Sequence, residues 1–350
     1  MAGIGPAPGP VNMFSRSLAS LLLILPAAAA CTDEMVTTQD SARLISVSGT
    51  HVVVAASSET EQPSLGCGGG GDPLLGPSVL FVSDNSGASY ERLVPTDQRP
   101  LTRIGVKDGV FYGIVQDTSA YAFAIVRSAD GRTWTQVAQK QGEAHDLSIT
   151  ASGFAVAHAT GVLTSVDGTT WTDNAMSGGL YAPSVTQVHG QLVVSSAADG
   201  VLHLRTGSTW TQKTVSGMTS IWTLIPTETA LLVTGARTVS GGDTKIVIGR
   251  VDLSGELPTT FSEGQTTHPL ITPAGLLDTS GYLAPLETQG VGTLRPFIPA
   301  FESATVDGNT VQLLRSGEVV VSADGGHTFG APIALPIESY EHSASDLSPR

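Results

Sequence analysis

The most regular side-chain pattern in this sequence is a motif in which serine, aspartate, glycine and an aromatic residue recur in the same order, with one copy a residue longer than the other two. An Asp carboxylate can accept hydrogen bonds from the backbone N–H groups of its own turn, and a Gly can take a positive φ without a Cβ clash. The same carboxylates could ligate calcium, but such a turn satisfies them without an ion. We therefore interpret the motif residues as structural. They are Ser128, Asp130, Gly131, Trp134, Ser165, Asp167, Gly168, Trp171, Ser322, Asp324, Gly326 and Phe329.

Two weaker copies extend the series. The segment Ser83–Tyr90 has Asn in place of Asp, and Leu204–Trp210 keeps only the final Gly-x-Thr-Trp. The motif resembles the Asp-box, or BNR, repeat of sialidases, sortilin-like receptors and photosystem-assembly propellers. In that family the box lies between the third and fourth strands of each β-propeller blade. The resemblance implies an all-β fold with a single β-propeller, and we call these segments box turns.

The box turns serve as phase markers that divide the chain into about seven four-stranded units. A composition with 40 Gly, 20 Pro and 14% charged residues favours short strands joined by tight turns. We predict one propeller over residues 42–335. A β-sandwich with a second small domain is less favoured, because no linker or change of composition divides this range. The predicted blades cover residues 42–95, 100–139, 146–176, 184–215, 219–265, 269–300 and 302–333, the fifth and sixth lacking a recognisable box turn.

The N-terminus carries a targeting pattern. Arg16 precedes the apolar run Leu18–Pro26, and four alanines lead to Cys31. The run is too short to span a bilayer but suits a secretory signal. Its end resembles a lipoprotein signal, although Ala28 replaces the usual Leu. We predict a signal peptide over residues 1–31, with Met13 as an alternative start and Cys31 lipidated.

The predicted signal implies an exported protein that is lipid-anchored in the cell envelope. The alternative is an ordinary signal peptide and a soluble secreted or periplasmic protein. We expect a tether over residues 32–41 and a tail over residues 336–350. Cys31 and Cys67 are the only two cysteines in the sequence. They form no disulfide framework, and they could pair only if Cys31 is not acylated.

Charge and motif content exclude several function classes. A net charge of −14 repels phosphate backbones, so we expect no nucleic-acid partner. The sequence has no zinc-type His/Cys spacing, no Gly-x-Ser-x-Gly elbow and no EF-hand loop. We therefore predict no metal, no cofactor and no catalytic residues.

Loops on the propeller face opposite the box turns are the better candidates for recognition, because rigid scaffolds commonly carry binding residues on loops. The longest insertion covers residues 57–77, and residues 237–244 occupy the equivalent place in blade five. The alternative is that the glycine run in the first insertion is a linker and that the histidines are solvated loop residues. The candidate ligand-face residues are Cys67, Asp72, Asp97, Arg99, His145, Tyr181 and His268.

Sialidase chemistry needs an arginine triad, a Tyr nucleophile assisted by Glu, an Asp acid and an Arg-Ile-Pro segment before the first box. The nearest match, Arg103-Ile104-Gly105, has Gly for Pro and follows the first box turn. We therefore predict a monomeric, non-catalytic envelope module that binds an unknown protein or glycan, because a repeat indicates fold rather than function. The alternatives are a sialidase-like glycoside hydrolase and an assembly factor for an envelope complex.

Overall fold

A computed structural model describes residues 35–60, 74–97, 99–227, 230–239, 241–251, 253, 260–263, 269–287, 290–293 and 295–343. All regular structure in these residues is β-strand. No helix in the described ranges is long and apolar enough to cross a membrane. The predictions at Cys31, Cys67, Asp72 and His268 lie outside the described residues.

The strands form seven antiparallel blades, each with four strands in sequential order from one continuous stretch of chain. A strand from beyond blade 7 adds a fifth strand to the sheet of blade 1. Blades 1 to 4 contain β1 Met35–Ser48, β2 His51–Thr60, β3 Leu74–Ser83, β4 Glu91–Leu93; β5 Leu101–Lys107, β6 Val110–Asp117, β7 Ala122–Ser128, β8 Thr135–Gln141; β9 Ala144–Thr150, β10 Gly153–His158, β11 Gly161–Ser165, β12 Thr172–Ala175; and β13 Ser184–Val188, β14 Gln191–Ser195, β15 Val201–Thr206, β16 Thr209–Thr214. Blades 5 to 7 contain β17 Met218–Pro226, β18 Leu231–Thr238, β19 Thr244–Val251, β20 Thr260–Glu263; β21 Leu270–Thr272, β22 Gly275–Leu277, β23 Tyr282–Ala284, β26 Arg295–Pro296; and β27 Ser303–Asp307, β28 Thr310–Arg315, β29 Glu318–Ser322, β30 Ile333–Ala334. A small hairpin, β24 Leu286–Glu287 and β25 Gly290–Val291, precedes the last strand of blade 6, and β31 Ser339–Ser343 follows blade 7.

The blades close into a ring because every neighbouring pair shares an apolar cluster. The second strands are apolar and buried over most of their central residues, as expected where neighbouring blades cover both sides, and every residue of β10 is buried. The last interface joins Leu314 and Val319 of blade 7 to Val54 and Phe81 of blade 1. The structure thus confirms the predicted all-β propeller and its seven blades.

The two ends of the described chain meet beside blade 1. Residues Met35–Gln39 of β1 pair antiparallel with Ser339–Ser343 of β31. This differs from the expected tether over residues 32–41 and tail over residues 336–350, since parts of both form strands. Both segments are mainly polar and lack the apolar alternation that marks a half-buried strand, and their partners lie about 300 positions away.

A buried ion cluster lies at this junction. Arg92 of β4 makes a bidentate contact with Asp40 of β1, with Nε to Oδ2 at 2.6 Å and Nη2 to Oδ1 at 3.0 Å. The Asp40 side chain is 1% exposed and also accepts hydrogen bonds from Ser58 Oγ and the Glu338 backbone N–H. Arg92 Nη1 reaches Glu338 Oε2 at 3.1 Å. The cluster therefore joins the first strand, the outer strand of blade 1 and the chain that follows blade 7.

The propeller has two faces that differ in their turns. Where the turns are described, the first-to-second and third-to-fourth turns of a blade lie at one end of its strands, and the second-to-third turns and blade connections lie at the other. The box turns at 83–90, 128–134, 165–171 and 322–329 all connect third and fourth strands. We call their side the box face and the opposite side the connection face.

Candidate functional site

An open cavity of about 790 Å³ lies on the connection face where the innermost strands of the blades begin. This volume lies within the range of small-molecule sites. We call it the channel mouth. Every blade contributes a residue to its wall, among them Leu44, Arg103, His145, Pro183, Trp222, Leu270 and Glu302.

β-bulges shape this wall. The register of β9 against β10 shifts so that His145 has no opposite partner, and the register of β17 against β18 shifts in the same way at Trp222. A third shift leaves Thr102 of β5 unpaired, immediately before Arg103. A bulge adds one residue to a strand and redirects side chains locally. All three bulged residues line the channel mouth.

Arg103 and His145 supply the polar chemistry of the mouth. Arg103 is exposed and its guanidinium donates to two backbone carbonyls, Thr102 O at 2.7 Å and His145 O at 2.5 Å. No described carboxylate lies within ion-pair distance of it. Burial, assisted by the charge of Arg103, lowers the pKa of His145 although Glu143 and Asp146 oppose the shift. The imidazole is therefore neutral at pH 7 and can donate from one ring nitrogen and accept at the other.

Two of the acidic groups at the mouth already accept hydrogen bonds from other parts of the propeller. Asp146 accepts from Ser184 Oγ at 2.7 Å and from the Val185 N–H at 2.9 Å, which joins the inner strands of blades 3 and 4. Glu302 accepts from the Ser316 N–H through both carboxylate oxygens. These two carboxylates hold the inner strands in place. Glu143 also lines the mouth and is exposed, so the groups that face a ligand include Arg103, Glu143, His145 and the Trp222 indole.

The predicted ligand-face residues separate in the structure. His145 lines the mouth, whereas Tyr181 is exposed on the same face outside it. Asp97 and Arg99 pair with each other, with Nη2 to Oδ2 at 2.6 Å, and Arg99 also contacts Gln136 in the outer strand of blade 2. Within the described residues, the sequence therefore identified one mouth residue.

Sequence reasoning missed Trp222 and the place of Arg103. A Trp within a predicted strand is normally interpreted as a core residue. A β-bulge leaves no periodic pattern in the sequence, so nothing indicated that this side chain lines the channel mouth. Arg103 drew notice only as an incomplete match to the sialidase segment. Arg103 lines the mouth because it lies one residue after a bulge at the start of an inner strand.

The box turns are held by their own side chains. Ser128 Oγ donates to Asp130 Oδ1 at 2.9 Å and accepts from the Gly131 N–H at 2.9 Å. The Thr133 N–H also donates to Asp130 Oδ1, and Trp134 Nε1 donates to the Gly131 carbonyl. The backbone N–H of Thr133, followed by further donors in the turn, lowers the pKa of Asp130.

The same hydrogen bonds recur around the aspartates of the other two complete box turns. Asp167 Oδ1 accepts from Ser165 Oγ and from the Thr170 N–H, and Asp324 Oδ1 accepts from Ser322 Oγ and from the Thr328 N–H. Donors within each turn hold the pKa of both carboxyls well below the usual range. Among the described residues no group of three or more His, Cys, Asp or Glu side chains is placed to hold a metal ion.

No family model and no curated protein sequence matches the chain. Among solved structures, the β-propeller domain of the Trilobed protease from Pyrococcus furiosus has a TM-score of 0.53 at 8% identity, over 83% of this chain and 95% of that chain. The WD40 β-propeller domain of Doa1 has a TM-score of 0.49 at 12% identity, over 83% and 93%. YCF48 from Cyanidioschyzon merolae has a TM-score of 0.43 at 14% identity, over 83% and 85%. The likeness to the Pyrococcus furiosus domain, above a TM-score of one half, is one of fold.

Proposed function

We propose that this protein is a non-catalytic binding module whose ligand docks at the channel mouth on the connection face. The observation that carries the proposal is the set of three inner-strand bulges, which bring Thr102, His145 and Trp222 into one cavity. Bulges cost regular pairing and often lie beside functional sites. Their concentration at one end of the channel favours a role for that end.

The mouth offers a defined set of contacts. Trp222 is half-buried, so its indole can cover an apolar or planar group with little loss of side-chain freedom. Arg103 presents a fixed cation to an acceptor on the ligand, and neutral His145 adds a directional hydrogen bond. A ligand that combines a planar or apolar group with an acceptor fits this set.

The glycosidase alternative has less support at this site. Arg103 is the one arginine among the described residues that lines the mouth. Sialidase-like chemistry needs three arginines on one carboxylate. A binding role uses the groups that are present without requiring others.

Replacing Trp222 with alanine should weaken ligand binding by more than about tenfold, because a half-buried indole at the centre of a contact is a typical hot spot. Tyr181→Ala is the matched control, since Tyr181 is an aromatic residue on the same face, 70% exposed and outside the mouth. Envelope extract passed over immobilised parent and variants should yield a partner that the parent and Tyr181→Ala retain and Trp222→Ala loses. Its affinity for each variant is then measured, with melting temperatures recorded.

The proposal would be abandoned if Trp222→Ala kept full affinity for that partner while Arg132→Glu on the box face abolished binding. Arg132 pairs with Asp84 and Glu91 and lies in the box turn of blade 2. Such a result would move the working surface to the other side of the ring.

Anchoring at the envelope is part of the proposal. It is supported by the short apolar run that ends at Cys31. We expect a palmitate analogue to label the parent and to leave Cys31→Ala unlabelled when both are expressed in a bacterial host. Equal labelling of both proteins, or none of the parent, would contradict lipidation at Cys31.

A further inference from the structure

A second cavity, of about 640 Å³, lies on the box face between blades 3 and 4. One wall is the box turn of blade 3 with its neighbours, including Ser152, Thr164 and Asp167. The other wall comes from blade 4 and includes Gln187 and Arg205. We call this cavity the inter-blade groove.

The groove exists because blade 4 lacks a full box turn. In the complete turns the glycine backbone presses against the preceding blade. A Cβ added to Gly131 would lie 2.3 Å from Val53 Cγ2 of blade 1, and one added to Gly168 would lie 2.5 Å from Tyr112 Cε1 of blade 2. Blade 4 turns between β15 and β16 through only two residues, and a Cβ on Gly207 would meet nothing within 4 Å. The space that a box turn fills elsewhere is open here.

Arg205 projects towards this space. It lies in β15 directly opposite Leu192 of β14 and Trp210 of β16. Directly opposed residues in antiparallel strands share a face of the sheet. Leu192 belongs to the apolar cluster between blades 3 and 4, and Trp210 packs against it, so Arg205 faces blade 3 as well.

The guanidinium of Arg205 has no protein partner among the described residues. Its Nε is buried without a hydrogen bond, and no described carboxylate forms an ion pair with it. A buried N–H without an acceptor is unfavourable, and more so when the group is charged. An oxyanion would supply the missing acceptors in the planar geometry that arginine prefers.

The other groups of the groove suit such a ligand. Thr164, Thr170 and Thr172 bring hydroxyls and Gln187 brings an amide. Asp167 is the carboxylate in the same wall, but its Oδ1 accepts from the N–H groups of Thr169 and Thr170 at 2.8 Å each. The negative charge of Asp167 is therefore stabilised by hydrogen bonds within its own turn.

We propose that the inter-blade groove binds a small oxyanion, a carboxylate, sulfate or phosphate group, through Arg205. The site lies on the opposite face from the channel mouth and does not depend on the function proposed there. The ligand must carry an anionic group whose oxygens can accept hydrogen bonds from the guanidinium. Both a free inorganic ion and an acidic sugar carry such a group.

Titration calorimetry with the full chain at low ionic strength tests this, using sodium sulfate, sodium phosphate and sodium glucuronate against sodium chloride at matched ionic strength. We expect at least one of the three anions to bind the parent. Comparing sulfate and phosphate with glucuronate shows whether the groove binds a free inorganic ion or an acidic sugar. Arg205→Gln should weaken that binding by at least about tenfold, since it removes a charge-assisted contact. Arg127→Gln is the control, because Arg127 is an exposed arginine near the end of the third strand of blade 2 and does not line the groove. Its affinity should equal that of the parent.

A second variant covers the case in which Arg205→Gln does not fold. Thr172 is exposed at the edge of the groove, so Thr172→Glu should fold and place a competing carboxylate there. Its anion affinity should fall by at least about tenfold, and Thr172→Gln should behave as the parent. The proposal is overturned if none of the three anions binds the parent, or if binding is unchanged in both Arg205→Gln and Thr172→Glu.

Discussion

Asp40→Ala should lower the free energy of unfolding by about 3 kcal/mol, because it removes the carboxylate that a largely buried arginine contacts through two hydrogen bonds. Removing one member of a buried ion pair typically costs about 3–5 kcal/mol. We expect the lower end, because Arg92 keeps its contact with Glu338 at 3.1 Å. Denaturant unfolding of parent and variant measures the difference.

A neighbouring ion pair provides the control. Arg43, also in β1, pairs with Glu59, but the Arg43 side chain is 55% exposed. Exposed pairs contribute about 0–1 kcal/mol. Arg43→Ala should therefore cost less than about 1 kcal/mol. Equal losses in Asp40→Ala and Arg43→Ala would show that the Asp40 cluster does not stabilise the closed ring.

The same cluster predicts a direction for the effect of acid. Burial raises the pKa of Asp40, but hydrogen bonds from Arg92 and the Glu338 N–H and the charge of Arg92 outweigh it, so the net shift is downward. A carboxyl whose pKa is lower in the folded state adds stability above its unfolded pKa of about 3.9. That stability is lost as pH falls through the lower folded value. Below about pH 4 the parent should therefore lose stability more steeply than Asp40→Asn.

The sequence allowed the blades to be placed because each box turn marks the same point of a four-stranded unit. The predicted third blade, residues 146–176, matches the strands from Ala144 to Ala175 within two residues. Blades 5 and 6 lack the marker and were still found by their alternation of apolar runs and turns. Most of the fold could therefore be predicted from local features of the sequence, namely the hydrogen-bonded box turns and the alternation of apolar runs with turns.

The junction of the chain ends could not be predicted in this way. The strand pairing of Met35–Gln39 with Ser339–Ser343 joins two polar segments whose contact depends on the closed ring. The same limit applied at the channel mouth. His145 was found because the sequence placed it in a blade connection, although the structure places it in β9. Trp222 was not found, since its position at the mouth depends on register shifts of β17 against β18.

The truncated turn of blade 4 shows how one local sequence change can alter two neighbouring blades. Its residues keep the Gly-x-Thr-Trp end of the motif, and Trp210 still packs between blades 3 and 4. Loss of the Ser-x-Asp part removes the segment that would have contacted blade 3. In a box turn, the packing of the aromatic side chain between blades is therefore separable from the contact of the turn with the preceding blade. A pair of glycine variants can measure that second contribution.

Gly131→Ala should lower the free energy of unfolding by about 2–4 kcal/mol. Gly131 has a φ of 73°, and an alanine held there costs about 1 kcal/mol in backbone strain. Its Cβ would also lie 2.3 Å from Val53 Cγ2, and Val53 is fully buried in the cluster between blades 1 and 2. Overpacking of a closed core adds about 1–3 kcal/mol. Denaturant unfolding measures the loss, and an unchanged m-value would show that the variant exposes the same surface on unfolding as the parent.

Gly207→Ala separates the two contributions. Gly207 has a φ of 62°, so the backbone strain of an alanine there is about the same as at Gly131. No atom lies within 4 Å of the added Cβ, so the overpacking contribution is absent. Gly207→Ala should therefore cost about 1 kcal/mol, and the difference between the variants measures how tightly a complete box turn presses on the preceding blade. If both glycines cost the same, the box turn of blade 2 is not packed as the structure has it, and the inter-blade groove cannot be attributed to the missing turn of blade 4.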